Sequence, residues 1–265
     1  MKNGFALTRA AIAATALMLV SVSTPPASIA AADDCRAPEL ICKAAANQDR
    51  SLYVRDHSRY EQKMRVERFK TKSGDEKMEE VRETSVAVQP GDRPDKTGGT
   101  PVVVRVISDT DKNGNPKRKI DEGATTLLSF GSVLDLAFFP LLPEKLKYYN
   151  FQEVVAERKN EKWFRFSPRA DVTEVPLASG LVEIDPQTGE VLTVKIDGLH
   201  NLERLDKIAH KLRTFNATID YSQFEGALRM PTLASGNGVS EIPRFEGSFR
   251  FHFEEGKYVL VSKVE

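Results

Sequence analysis

Four histidines, two cysteines and many carboxylates are the residues of this chain that could do chemistry. Metal binding needs His, Cys, Asp or Glu at short, regular spacings. His57, His200, His210 and His252 are scattered and share no such spacing. Nucleophilic or phosphate chemistry would show as a GxSxG elbow, a P-loop or GxGxxG, and the sequence contains none of them. Paired carboxylates occur at Glu79-Glu80 and Glu254-Glu255, within charged runs of the kind that form solvated faces. Asp109, Asp111 and Asn113 in the run DTDKNGNP are spaced like a calcium loop. The bidentate Glu such a loop needs six residues after Gly114 is replaced by Ile120, so the run reads as a polar turn. No catalytic set, metal site or cofactor cradle emerges, and the chain reads as a non-enzyme with no cofactor.

The cysteines belong to a question of compartment. Lys2 and Arg9 form a basic start, Ala10 to Val22 an apolar run of signal-peptide length, and small residues at Ser28, Ala30 and Ala32 a cleavage region. Residues 1–32 are therefore expected to be a cleaved signal peptide and residues 33–265 a single exported, periplasmic domain. Asp33-Asp34 before Cys35 argue against a lipid anchor. Without Lys2 and Arg9, 36 of the 38 basic residues face 38 acidic ones, which argues against nucleic acid as a partner. Cys35 and Cys42 would lie about 10 Å apart on one continuous helix, beyond the roughly 7 Å limit for a bridge. A disulfide requires Cys35 to sit in an extended lead-in before Pro38; disulfide and free thiols both stay open.

The element that must be placed is Leu127 to Leu142, LLSFGSVLDLAFFPLL. Burying one Leu or Phe contributes roughly 1.5–3 kcal/mol, so the run demands an apolar partner. It is shorter than the about 20 residues a bilayer span needs, and Asp135 and Pro140 interrupt it. No transmembrane span is expected in the mature chain. Leu127, Phe130, Leu134 and Phe138 follow helical spacing, with Leu128 and Val133 spreading apolarity round the cylinder, and Pro140 should end the helix near Phe138.

Around it the chain reads as one helix and many hairpins. Pro38 to about Asp56 has helical spacing. Tyr60, Met64 and Val66 alternate with charged residues as a strand, and Met78 to Val88 returns as a second. Val102 to Ile107 is a short apolar strand. Leu181 to Ile184 and Val191 to Ile196 flank the turn Asp185-Pro186-Gln187-Thr188-Gly189, where Gly189 suits a left-handed residue. Leu202 to Leu212 fits either helix or strand. Phe245, Phe249, Phe251 and Phe253 alternate with Arg250, His252 and Glu254, which puts His252 outward, and Glu255-Gly256-Lys257 reads as a turn. About ten strands on short turns imply an antiparallel meander, and two helical stretches are too few to cover both faces.

The segments GLVEIDPQTGEVLTVKI (Gly180 to Ile196), FNATIDYSQFEGALRMP (Phe215 to Pro231) and Phe245 to Val264 resemble the periplasmic outer-membrane lipoprotein carrier and sorting superfamily, the LolA/LolB-like proteins. The likeness implies an α+β, mostly antiparallel fold: one curved, unclosed half-barrel of about ten strands with helices over its concave face. It implies a lid at Leu127, Leu128, Phe130, Val133, Leu134, Phe138 and Phe139, and a cavity wall carrying Phe151, Trp163 and Phe164. It also implies a basic latch on an early strand, where Arg65 and Arg68 stand without a feature to choose between them. The ligand so implied is a lipid or a lipoprotein acyl chain. The alternative is a non-catalytic adaptor with a filled core that binds an envelope protein.

Overall fold

The computed structural model describes residues 35–72, 75–91, 102–118, 133–155, 161–205, 209–224, 228–241 and 246–261. The expected signal peptide, and Leu127, Leu128 and Phe130, lie outside them. Helix α1 (Glu39–Asp56) starts directly after Pro38 and buries one stripe, Ile41, Ala44, Ala45, Gln48, Ser51 and Arg55. Its start is stapled. Cys35 lies in the non-helical lead-in and bonds to Cys42, with the Cα atoms 6.1 Å apart.

Ten strands follow: β1 (Ser58–Lys72), β2 (Asp75–Pro90), β3 (Val102–Asp109), β4 (Tyr149–Val154), β5 (Lys162–Pro168), β6 (Leu177–Ile184), β7 (Val191–His200), β8 (Leu212–Gln223), β9 (Arg229–Ser240) and β10 (Gly247–Leu260). They form a single open antiparallel sheet in the order β3-β2-β1-β10-β9-β8-β7-β6-β5-β4. Two hairpin meanders are thus joined by pairing β1 to β10. The two edges, β3 and β4, are consecutive in the chain. The polypeptide between them must cross from one edge of the sheet to the other, and the apolar run lies in that connection.

Alternation along the strands gives the sheet its inner face. Tyr60, Met64 and Val66 on β1, Val182 and Ile184 on β6, and Phe249, Phe251 and Phe253 on β10 are all buried. Phe251 stacks on Phe215 with ring centroids 5.4 Å apart and lies over Gly236 of β9. A Cβ at Gly236 would meet the Phe251 ring at 2.7 Å and the Asn216 carbonyl at 2.0 Å, so only glycine fits beneath the ring. Outward residues carry the charge: Arg65 pairs with Glu67 and Glu83, and exposed His252 faces Glu254 at 3.1 Å.

The β6–β7 turn forms as its sequence requires, with Gly189 at φ 74°. Lys43 Nζ donates to the Gln187 carbonyl at 2.8 Å and Asn47 Nδ2 to that of Thr188 at 3.2 Å, tying α1 to this turn. Leu202–Arg204 and Ala209–Lys211 are short 3-10 turns, and the strand starts at Leu212. Two expectations need correction, the turn at Glu255-Gly256-Lys257 and the solvated carboxylate pairs. Glu255-Gly256-Lys257 is not a turn; β10 runs through it, with a register shift against β1 and Lys257 at φ 59°. Glu255 is not solvated but 4% exposed, and Glu80, 8% exposed, pairs with Arg68 and Arg82. In the 109–117 loop, Asp111 spends its carboxylate on the amides of Asn113 and Asn115, at 2.8 and 3.0 Å. Asp109 turns inward to Thr84 and Lys117.

Candidate functional site

The crossover carries a helix over residues 133–138, then turns at Pro140 into a 3-10 turn, Pro143–Tyr148, which leads into β4. Packing holds it. Val133, Leu134, Leu136, Ala137, Phe138, Phe139 and Leu141 are at most 4% exposed and belong to the same core as the inner face of the sheet. The Phe138 ring sits 5.0 Å from that of Phe253 on β10.

Asp135 is the only charged residue of this run, and it finds a buried cation. Arg55, in the last turn of α1, has a side chain 6% exposed. Its Nη1 donates to Asp135 Oδ1 at 2.9 Å, while Nε and Nη2 form a two-pronged contact with Glu255 of β10 at 2.8 and 3.0 Å. The rings of Tyr60, Phe138 and Phe139 lie 5.2–5.8 Å from the guanidinium carbon. Gln62 Nε2 and the Tyr258 hydroxyl donate the remaining hydrogen bonds to Glu255. Burial opposes the charge on Arg55, but Glu255 and then Asp135 outweigh it and hold its proton more tightly than water would. Burial likewise drives the phenols of Tyr60 and Tyr258 well above the ordinary tyrosine range. One guanidinium thus joins the helix, the sheet and the crossover.

A second polar node holds the other end of the crossover. Gln48 Oε1 accepts the amide of Leu141 at 3.0 Å, Gln48 Nε2 donates to the Tyr221 hydroxyl at 3.4 Å, and that hydroxyl donates to the Phe138 carbonyl. Tyr221 is buried, and that burial pushes its phenol far up. The two nodes differ in exposure. Gln48 and Tyr221 are buried, whereas the Asp135 side chain is 57% exposed.

The structure places the residues expected from sequence unequally. Val133, Leu134, Phe138 and Phe139 lie in the crossover, buried. Phe164 is buried on the inner face, and Phe151 packs against the same core with its ring centroid 5.9 Å from that of Tyr149. Trp163 is not a wall residue. Successive strand residues face opposite sides, and Trp163 stands on the outer face with Lys195 Nζ 4.7 Å above its ring. Arg65 pairs with Glu67 and Glu83, and Arg68 pairs with Glu79 and Glu80. The guanidinium bound to the crossover is that of Arg55, a residue sequence reasoning missed. Its position on the buried stripe, seven residues beyond Gln48, was the available signal.

Among the described residues no group of three His, Cys, Asp or Glu side chains could hold a metal ion, and no helix is long and apolar enough to cross a membrane. Several solved structures align over most of this chain. A LolA-superfamily protein from Nitrosomonas europaea aligns at 8% identity and TM-score 0.30, covering 83% of this chain and 94% of that one. A putative outer-membrane lipoprotein-sorting protein domain from Vibrio parahaemolyticus aligns at 9% identity and TM-score 0.30, covering 85% and 95%. MucB, solved in complex with the periplasmic part of MucA, aligns at 14% identity and TM-score 0.22, covering 82% and 94%. No family model and no curated protein matches the sequence.

Proposed function

We propose that this is an exported cell-envelope protein that holds an apolar ligand, a lipid or a lipoprotein acyl chain, between the inner face of its half-barrel and the crossover acting as a lid. The observation that carries this reading is the Arg55 lock. A core meant only to stay shut gains little from a buried ion pair, since apolar residues of the same volume are often as stable or more so. A lock with one partner fixed, Glu255, and one partner half in water, Asp135, is suited to release the crossover while keeping the arginine paired. Export agrees with the Cys35–Cys42 disulfide, which persists in oxidising compartments.

Native mass spectrometry of protein purified from envelope fractions, with uptake of a hydrophobic fluorescent probe, tests the proposal. Co-purified lipid and saturable probe binding are expected. Absence of both sinks it. The adaptor reading is favoured by a different observation: Phe138, Phe139 and Leu141 are 0–1% exposed and already occupy the inner face. On that reading the crossover stays shut, no probe enters, and an envelope protein is recovered by pull-down through the charged outer faces of β1 and β2.

A further inference from the structure

The sheet has two open edges, and they are built differently. β4, six residues long, leaves Asn150, Gln152 and Glu153 exposed, and Glu153 pairs with Lys162 of β5. Short length and polar side chains of this kind guard an edge against further pairing. β3 has no such guard. Its run Val102 to Ile107 has the apolar content of a strand covered on both faces. Val103 and Ile107 are nevertheless 48% and 46% exposed, while Val104 and Val106 pack against the core. One side of the β3 backbone pairs with β2, and the other side has no partner strand among the described residues. Its N–H and C=O groups form a template for one more strand. Arg105 is exposed between Val103 and Ile107, opposite Ala87 of β2. On the neighbouring strands Glu61 is taken by Lys257, and Glu67 and Glu83 by Arg65; no carboxylate pairs with Arg105 among the described residues.

We propose that β3 accepts an extended segment of a partner protein as an added strand, apolar on both faces and carrying a carboxylate opposite Arg105. An extended chain answers all of the edge at once: main-chain hydrogen bonds supply affinity, and alternate side chains supply selectivity. A bilayer does not, because backbone groups without partners are not placed in lipid. Opposed residues of an antiparallel pair share a face of the sheet. Residues of the added strand facing Val104 and Val106 therefore extend the core, and those facing Val103 and Ile107 cover the two exposed side chains. A second copy of this chain lacks the matching charge. Antiparallel pairing of β3 with itself about Val104, Arg105 or Val106 sets the two Arg105 side chains opposite or diagonal to each other, where like charges repel. Strand addition at β3 requires neither the crossover nor a lipid, so it stands apart from the carrier reading.

Fluorescence anisotropy of the full chain with a labelled synthetic peptide of sequence KTIVEVVTK provides the test. Laid antiparallel to β3, its Glu faces Arg105 and its Ile and Val residues face Ile107, Val106, Val104 and Val103. Saturable binding is expected, with amides of β3 gaining protection from hydrogen exchange and those of β4 unchanged. The peptide with Lys in place of Glu should bind about fivefold more weakly or worse. Arg105→Glu should reverse that preference. Val103→Lys/Ile107→Lys, which guards the edge with charge, should weaken binding by about tenfold. Gln152→Lys on the other edge should bind as the parent does. Unchanged thermal unfolding confirms that each variant is folded. No binding, equal binding of the two peptides by the parent chain, or protection confined to residues outside β3 overturns the proposal. A dimer in sedimentation velocity that the Val103→Lys/Ile107→Lys variant loses makes a second copy the occupant and overturns it too.

Discussion

Arg55 and Glu255 stand 200 positions apart in the chain, yet share a two-pronged ion pair with side chains only 6% and 0% exposed. Two charges taken this far out of water are tolerable only together, since each is the other's replacement for hydration. The pair also fixes α1 on β10, and its spare Nη1 reaches Asp135, so the crossover is held by what that pair leaves over.

Removing one member should therefore cost more than removing both. Arg55→Met or Glu255→Leu alone should lower unfolding free energy by about 3–5 kcal/mol, because each strands a buried charge. The double variant should recover much of that loss. Urea denaturation of the four proteins in a double-mutant cycle measures it; additive single effects would remove the coupling.

Asp135→Asn should behave differently, because that carboxylate is half exposed and its ion pair is screened. The expected loss of stability is below about 1 kcal/mol. Hydrogen exchange of the amides in residues 133–137 should nevertheless accelerate, while that of Leu141, whose amide Gln48 accepts, should not. Equal acceleration across the whole crossover would show that it moves as one block.

Asp56 supplies a pH dependence. Burial, working against the pull of Arg55, raises its carboxyl above the ordinary aspartate range. A carboxyl raised by folding stabilises the fold while protonated, and that contribution is lost as pH climbs through the folded-state value. Asp56→Asn should therefore be more stable than the parent at neutral pH, and the advantage should vanish below the unfolded-state aspartate pKa. Thermal unfolding as a function of pH tests the sign; a variant less stable at neutral pH contradicts it.

The Cys35–Cys42 bridge closes a short loop at the start of α1. Chain entropy gives such a loop about 2.5 kcal/mol. Cys35→Ser/Cys42→Ser should lose about that much in denaturant melts, and reduction of the parent should match it. A loss under about 0.5 kcal/mol would mean that α1 is held by its contacts with the β6–β7 turn and the Arg55 lock alone.

Much of the fold was legible because it is written in short-range signals. Period-two alternation marked the strands, Asp185 to Gly189 marked a hairpin, and the apolar run announced that something had to bury it. The site was less legible, for two distinct reasons. Glu255 shares the parity of Phe249, Phe251 and Phe253, so alternation alone points it inward; reading Glu255-Gly256-Lys257 as a turn hid this, since a bulge and a turn use the same residue types. Trp163 and Phe164 cannot both face in, and alternation could have said so, but not which one does: both are large aromatics of high strand preference.

What the sequence by itself determined is the set of hairpins, the antiparallel sheet they build, and the requirement that Leu127 to Leu142 leave water. Those follow from spacing and turn chemistry acting over a few residues. Only the tertiary structure decided that β1 pairs with β10, that the chain must therefore cross the sheet between β3 and β4, and that Arg55 meets Glu255 and Asp135 beneath that crossing. It also decided between disulfide and free thiols. Each depends on long-range register and on distances between segments far apart in the chain, which no local pattern encodes.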